Sequence, residues 1–149
     1  APASRGRGVV VAMNEQIPQL HNEAVVIPAF WPEEHVRDIL RGILMRPDRP
    51  QTLFLEPVHV GPCLSIAREL NISIPNELDI ISYGIMSVYD KLLSNHSLTV
   101  SMITFDSEEV ARLAAKLLIK SFGDSQEEIP DSTPCGFVNG QTSKSINLE

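Results

Sequence analysis

From Pro50 to Gly123 the chain alternates short apolar runs with longer stretches of helical spacing. That alternation constrains the fold more than any other feature. Strands that alternate with helices build a mostly parallel sheet with flanking helices, an α/β architecture. Thr52 to Leu55 is an apolar run closed by Pro57. Cys63, Ile66, Ala67 and Leu70 follow at helical spacing, and Asn71 suits the left-handed turn that ends a helix. Leu78 to Ser82 is the next strand, and Leu98 to Ile103 is extended. Asp106 and Glu109 form a D-x-x-E capping box for a further helix. Its expected buried stripe is Val110, Leu113, Ala114, Leu117 and Leu118, and Gly123 ends it.

An earlier helix is equally clear. Val36, Ile39, Leu40, Ile43 and Leu44 fall at i, i+3, i+4, i+7 and i+8, which is one helical face. Pro32 suits its first turn, Glu33 and Glu34 complement its dipole, and Pro47 stops it. Ala24 to Ile27 reads as a short buried strand. Val9 to Gln16 fits either a helix or a strand. Cys135 to Val138 is a candidate last strand, and Thr142 to Glu149 is expected to fray.

The function classes narrow through charge and composition. The chain has 149 residues, enough for one domain, and a formal net charge of −7. Such an acidic chain has no electrostatic footprint for phosphate, so it is not expected to bind DNA by itself. No apolar run approaches the ~20 residues that span a bilayer. Cys63 and Cys135 stand far apart and form no CxxC pair; buried or half-buried free thiols are the plain reading. His21, His35, His59 and His96 make no HxxxH or HxH pattern, so no metal or other cofactor is expected. Asp90 and His96 could be imagined with a serine as a triad, but no Gly-x-Ser-x-Gly elbow supports it. Nothing converges on catalysis, and the chain is expected not to be an enzyme.

In parallel α/β sheets, ligands gather at the carboxyl ends of strands. Glu56 and His59 follow such an end, although ordinary loop polarity explains them as well. Tyr83 follows another and could stack on a ligand; a core-edge aromatic is the plainer alternative. Trp31 precedes a helix and is better explained as an apolar staple to it.

The order of landmarks resembles a known family. Arg5-Gly6-Arg7-Gly8 resembles an Arg-x-x-Gly-aromatic segment. Arg49-Pro50 precedes the strand to Leu55. Asn71-Ile72-Ser73-Ile74-Pro75 resembles a Gly-Leu-x-Ile-Pro turn, and Leu98-Thr99-Val100 a Leu-Thr-Thr-Val crossing segment, with a helix over Ala111 to Leu118 behind it. Together these are similar to the sugar-sensing core of lactose/galactose-repressor-type transcription regulators, from Arg5 to about Ser143. The resemblance implies one part of a two-lobe, periplasmic-binding-protein-like fold. Residues 1–100 and about 130–149 would lie mainly in the C-terminal lobe, and the helix within about 101–125 would return to the N-terminal lobe. The rest of the core and a DNA-binding headpiece would lie upstream of Ala1.

From the same resemblance come a small polar, sugar-like effector, a homodimer that uses the surface near Pro62 to Leu70, and a cytoplasmic location. DNA would be bound only through the upstream domain, with no membrane contact. Arg5 would contact the effector beside Glu56, His59 and Tyr83. A solute-binding protein of the periplasmic type and an α/β enzyme are the alternatives. Two departures bear on the ligand, and one is that the family's Asn-Asp after the strand to Leu55 is gone, with Glu56-Pro57 nearby. Where the family has Gly-Phe-Asp-Asp, this chain has Ser82-Tyr83-Gly84-Ile85, so the acid that hydrogen-bonds sugar hydroxyls is missing.

Overall fold

The computed structural model describes residues 32–85, 98–123, 128–130 and 132–144. The expectations for Arg5, Val9 to Gln16, Ala24 to Ile27, Trp31, Asp90 and His96 fall outside these residues. Helix α1 spans Glu33–Leu44 behind Pro32, with Val36, Leu40 and Leu44 buried at helical spacing. Strand β1 is Thr52–Phe54. Helix α2 spans Pro57–Glu69, so it begins six residues before Cys63, the first residue of its apolar spacing. Pro57 stands at its first turn, where a missing N–H costs nothing. His59, Val60, Cys63, Leu64, Ile66 and Ala67 are all buried, because α2 packs against both α1 and the sheet and has little face left for water. Arg37 and Arg41 of α1 both reach Glu69 of α2, and Arg41 foremost holds that carboxyl below its usual range. These pairs are exposed and orient the helices more than they stabilise them.

Asn71 ends α2 with φ 57°, the left-handed turn read from the sequence. Strand β2 is Asp79–Gly84, and β3 is Ser101–Thr104. Helix α3 spans Ser107–Ser121 and β4 is Gly136–Val138. The sheet order is β1-β2-β3-β4; the first three strands are parallel and β4 is an antiparallel edge. Register pairs Leu53 with Ile80, Ser82 with Met102, and Met102 with Val138. Since side chains alternate across a strand, these residues share the face covered by α1 and α2. Phe54, Ile81, Tyr83, Ile103 and Phe137 share the other. The mostly parallel sheet with flanking helices is therefore as read from the sequence.

Three local expectations are corrected. The stripe on α3 is not buried: Leu113 is, but Val110, Ala114, Leu117 and Leu118 are exposed. The sheet's core face is already occupied by α1 and α2, so α3 meets neither of them with that stripe. Its cap forms by half. Asp106 accepts from Glu108 and Glu109 N–H at 2.9 and 3.1 Å, while the Glu109 carboxylate turns to Arg112, whose Nε donates at 2.8 Å.

The second correction is the tail. Thr142 and Ser143 are buried, not frayed. Ile80 N–H donates to Thr142 O at 2.7 Å, and Lys144 N–H to Asp79 Oδ1 at 2.9 Å. Thr142 Oγ1 donates to Ile80 O at 2.7 Å and accepts from Ser101 N–H at 2.9 Å. Residues 140–144 thus close the amino ends of β2 and β3.

The third concerns the thiols. Cys63 is buried, and desolvation pushes its thiol up to about 12; Cys135 is exposed. A thiolate is the reactive form. Under native conditions a colorimetric thiol reagent is expected to titrate Cys135 promptly and Cys63 only on unfolding. Prompt reaction of both would contradict the burial of α2.

Candidate functional site

With its amino edge closed by the tail, the sheet offers its carboxyl edge. There β1 and β2 end side by side. Leu55 N–H donates to Ile81 O at 2.9 Å, and Ser82 Oγ donates to Leu55 O at 2.8 Å, both within the core. These bonds bring the turn after β1 against the end of β2. A Cβ placed on Gly84 would stand 3.8 Å from the Pro57 ring. Phe54 and Tyr83, on the face opposite α1 and α2, stack with centroids 5.5 Å apart and planes at 22°.

Glu56, half-buried, immediately precedes α2, and its carbonyl accepts from His59 N–H at 2.9 Å. His59 sits in the first turn of α2 and is only 6% exposed, so it is not a loop residue. Its Nε2 is buried with no hydrogen-bond partner among the described residues. Burial lowers the His59 pKa, partly opposed by attraction to the Glu56 carboxylate. The ring is therefore neutral at pH 7 and offers one donor and one acceptor. A buried polar atom left without a partner is rare enough to call for a function.

Of the four sequence candidates, Glu56 and His59 stand at the start of α2, and Tyr83 lies near the end of β2 on the sheet face opposite the helices. Arg5 lies outside the described residues. Two features were not read from the sequence. Phe54 extends the aromatic surface under Tyr83; its place beside Leu53 and Leu55 in an alternating strand was the available signal. Gly84 has φ +140°, a conformation that side-chain-bearing residues rarely adopt, and no local motif announces it. An aspartate there would be strained by the backbone, although its Cβ would meet the Pro57 ring only at ordinary contact distance.

Among the described residues a concavity lies beside α3. A cleft of about 180 Å³ lies between α3 and residues 128–130 and 132–134, lined by Glu109, Arg112, Lys116 and Glu128 among others. Its arginine is engaged by Glu109. Among the described residues there is no group of three or more potential metal ligands, and no helix is long and apolar enough to cross a membrane.

The His59 environment predicts a pH effect. Its folded pKa is lowered, so the unfolded chain binds the extra proton first. Stability should be full above about pH 6.5, the ordinary histidine value, and fall as the pH drops below it. His59→Leu should flatten this slope in urea melts at pH 5 to 7.5 without loss of stability at pH 7, since it also removes an orphaned polar atom. An unchanged slope would assign the acid sensitivity to other groups.

Comparison with known proteins agrees with the fold. A family model described as a periplasmic binding protein-like domain matches residues 1–143. No curated protein matches the chain. Among solved structures, the chain is similar to a LacI family transcriptional regulator from Bifidobacterium animalis subsp. lactis. The TM-score is 0.63 at 19% identity, over 76% of this chain and 41% of that one. It is also similar to an uncharacterized protein from Actinobacillus succinogenes, with a TM-score of 0.58 at 16% identity over 75% of this chain and 40% of that one. At these identities the likeness concerns the fold, and the chain spans about two-fifths of the length of these two proteins. The order of elements, the mostly parallel sheet and the matching family model lead to one conclusion: this chain belongs to the periplasmic binding protein-like domain family.

Proposed function

We propose that the chain is the ligand-sensing portion of a transcription regulator and is not an enzyme. It would bind a small polar molecule at the carboxyl edge of β1 and β2. The observation that carries this reading is His59: a neutral, buried imidazole whose Nε2 has no partner among the described residues, close in sequence to Glu56 at the edge where ligands of parallel sheets bind. In this reading Nε2 completes its hydrogen bonding with the ligand. Glu56 accepts from hydroxyls or amines, the Phe54–Tyr83 stack gives a flat face, and Arg5 adds a forked donor. Ligand binding would favour one arrangement of two lobes and so reposition a DNA-binding domain elsewhere in a cytoplasmic homodimer. Support comes from the family and from the fold shared with a LacI family regulator.

The ligand is expected not to be a simple sugar. With Gly84 in place of an acid, the edge lacks one charged acceptor, a contribution of about 1.5–3 kcal/mol or roughly ten- to a hundred-fold in affinity. Calorimetry of the full-length protein with a panel of pentoses and hexoses should give no tight complex. A sub-micromolar monosaccharide would overturn this part of the reading.

A further inference from the structure

We infer that Ser82 is a positioning residue for the carboxyl edge: its hydroxyl, acting through the Leu55 carbonyl, fixes where Glu56 and His59 stand. The inference rests on the reading of that edge as the ligand site and adds the residue that sets its geometry. Ser82 lies in β2 on the face covered by α1 and α2, with Ile80 and its register partner Met102, and is fully buried. A hydroxyl among such neighbours costs free energy unless it is hydrogen-bonded. Its bond leaves the strand and goes to Leu55 O, at 2.8 Å. Since no part of Ser82 is exposed, it acts on the edge without touching a ligand.

Leu55 is the first residue after β1 and is held twice. Its N–H donates to Ile81 O at 2.9 Å, and its carbonyl accepts from Ser82. From there to α2 the backbone has little freedom. A residue before proline is confined to the extended region, and Glu56 has φ −56° and ψ 143°. Pro57, its φ locked by the ring, opens α2. His59 N–H then donates to Glu56 O at 2.9 Å, so Glu56 and His59 move together. No side-chain cap bond forms at this helix end, so the hold on Leu55 is what anchors it. Without the Ser82 hydroxyl, one of the two holds is lost. The first turn of α2 can then lift from the end of β2 and let water reach His59.

The test reads the protein without ligand. It is an NMR titration of His59 in the full-length protein with labelled histidine, the signal assigned by its absence from His59→Leu. Urea melts run alongside give each variant's stability. In the wild type burial foremost lowers the His59 pKa, opposed by the Glu56 carboxylate. In Ser82→Ala water reaches the ring while Glu56 stays with it. The titration should therefore move up toward the ordinary value of about 6.5, by about half a unit or more. Ser82→Gly removes the same hydroxyl and weakens the strand further, yet should give the same shift. Thr142→Val weakens the same sheet from its amino edge and should give none. An unmoved His59 in both Ser82 variants overturns the inference. So does a shift in Thr142→Val as large as theirs, or one that grows from alanine to glycine with the loss of stability. If the shift appears as expected and no small polar molecule binds, the ligand reading fails and the positioning by Ser82 stands.

Discussion

Gly140→Ala is expected to destabilise the chain by at least about 3 kcal/mol, enough to consume a large part of a typical domain's 5–15 kcal/mol. A Cβ at residue 140 would stand 2.4 Å from Val100 C, 2.5 Å from Ser101 N and 2.6 Å from Thr99 O. All three are backbone atoms, so no rotamer change can make room. The strap from 140 to 144 would have to leave the amino edge of the sheet. It would take with it the bonds from Gly140 N–H to Ser101 Oγ, at 3.0 Å, and from Gln141 N–H to Thr99 O, at 2.6 Å. Gly42 gives the contrast. Nothing lies within 4 Å of its would-be Cβ and it is interior to α1, so Gly42→Ala should stabilise by about 0.5–1 kcal/mol. Urea melts of the two variants should move in opposite directions. Equal midpoints would contradict the close approach at Gly140.

The second large effect is expected at Thr142. Its hydroxyl is the described partner of Ser101 N–H and also donates to Ile80 O, deep in the closed amino edge. Thr142→Val keeps the shape and removes the hydroxyl. The stranded N–H alone costs about 1–3 kcal/mol, and the lost bond to Ile80 adds to it. Thr142→Ser keeps both bonds and should lose less. The denaturation midpoint of the valine variant should fall with little change in slope, since the same surface is exposed on unfolding. If valine and serine variants melted together, the tail would not be the closure described here.

The tail also shows what a sequence conceals. Gly140 to Lys144 is short, polar and near the end of the chain, so local reasoning reads it as loose. Its order comes from bonds to Ile80, Thr99, Ser101 and Asp79, about forty to sixty-five residues away in sequence. Periodicity does not see such partners. Where the signal is local, the reading was sound. The apolar face of α1, the left-handed turn at Asn71 and the carboxylate cap at Asp106 each rest on residues within a few positions of one another.

The α3 stripe marks the limit between the two cases. Its apolar spacing is genuine, but spacing says only that a face wants cover; the fold decides whether cover is there. The candidate site divides in the same way. The carboxyl edge was legible because strand ends can be counted, and Glu56 and Tyr83 follow directly from them. The burial of His59 was not legible, because the apolar spacing begins only at Cys63 and does not show that α2 starts at Pro57. The positive φ of Gly84 was not legible either, because no local motif announces it at the end of β2.

The central claim is that a small polar molecule binds at the carboxyl edge with His59 as one of its partners. The most direct test is a thermal-shift screen of the full-length protein against small polar metabolites. Any hit should be followed by calorimetry on His59→Leu and Tyr83→Ala. The account predicts a ligand whose affinity falls tenfold or more in either variant, while the folded state of His59→Leu at pH 7 is no less stable than wild type. A ligand that binds both variants as tightly as wild type would place the site elsewhere and contradict the account.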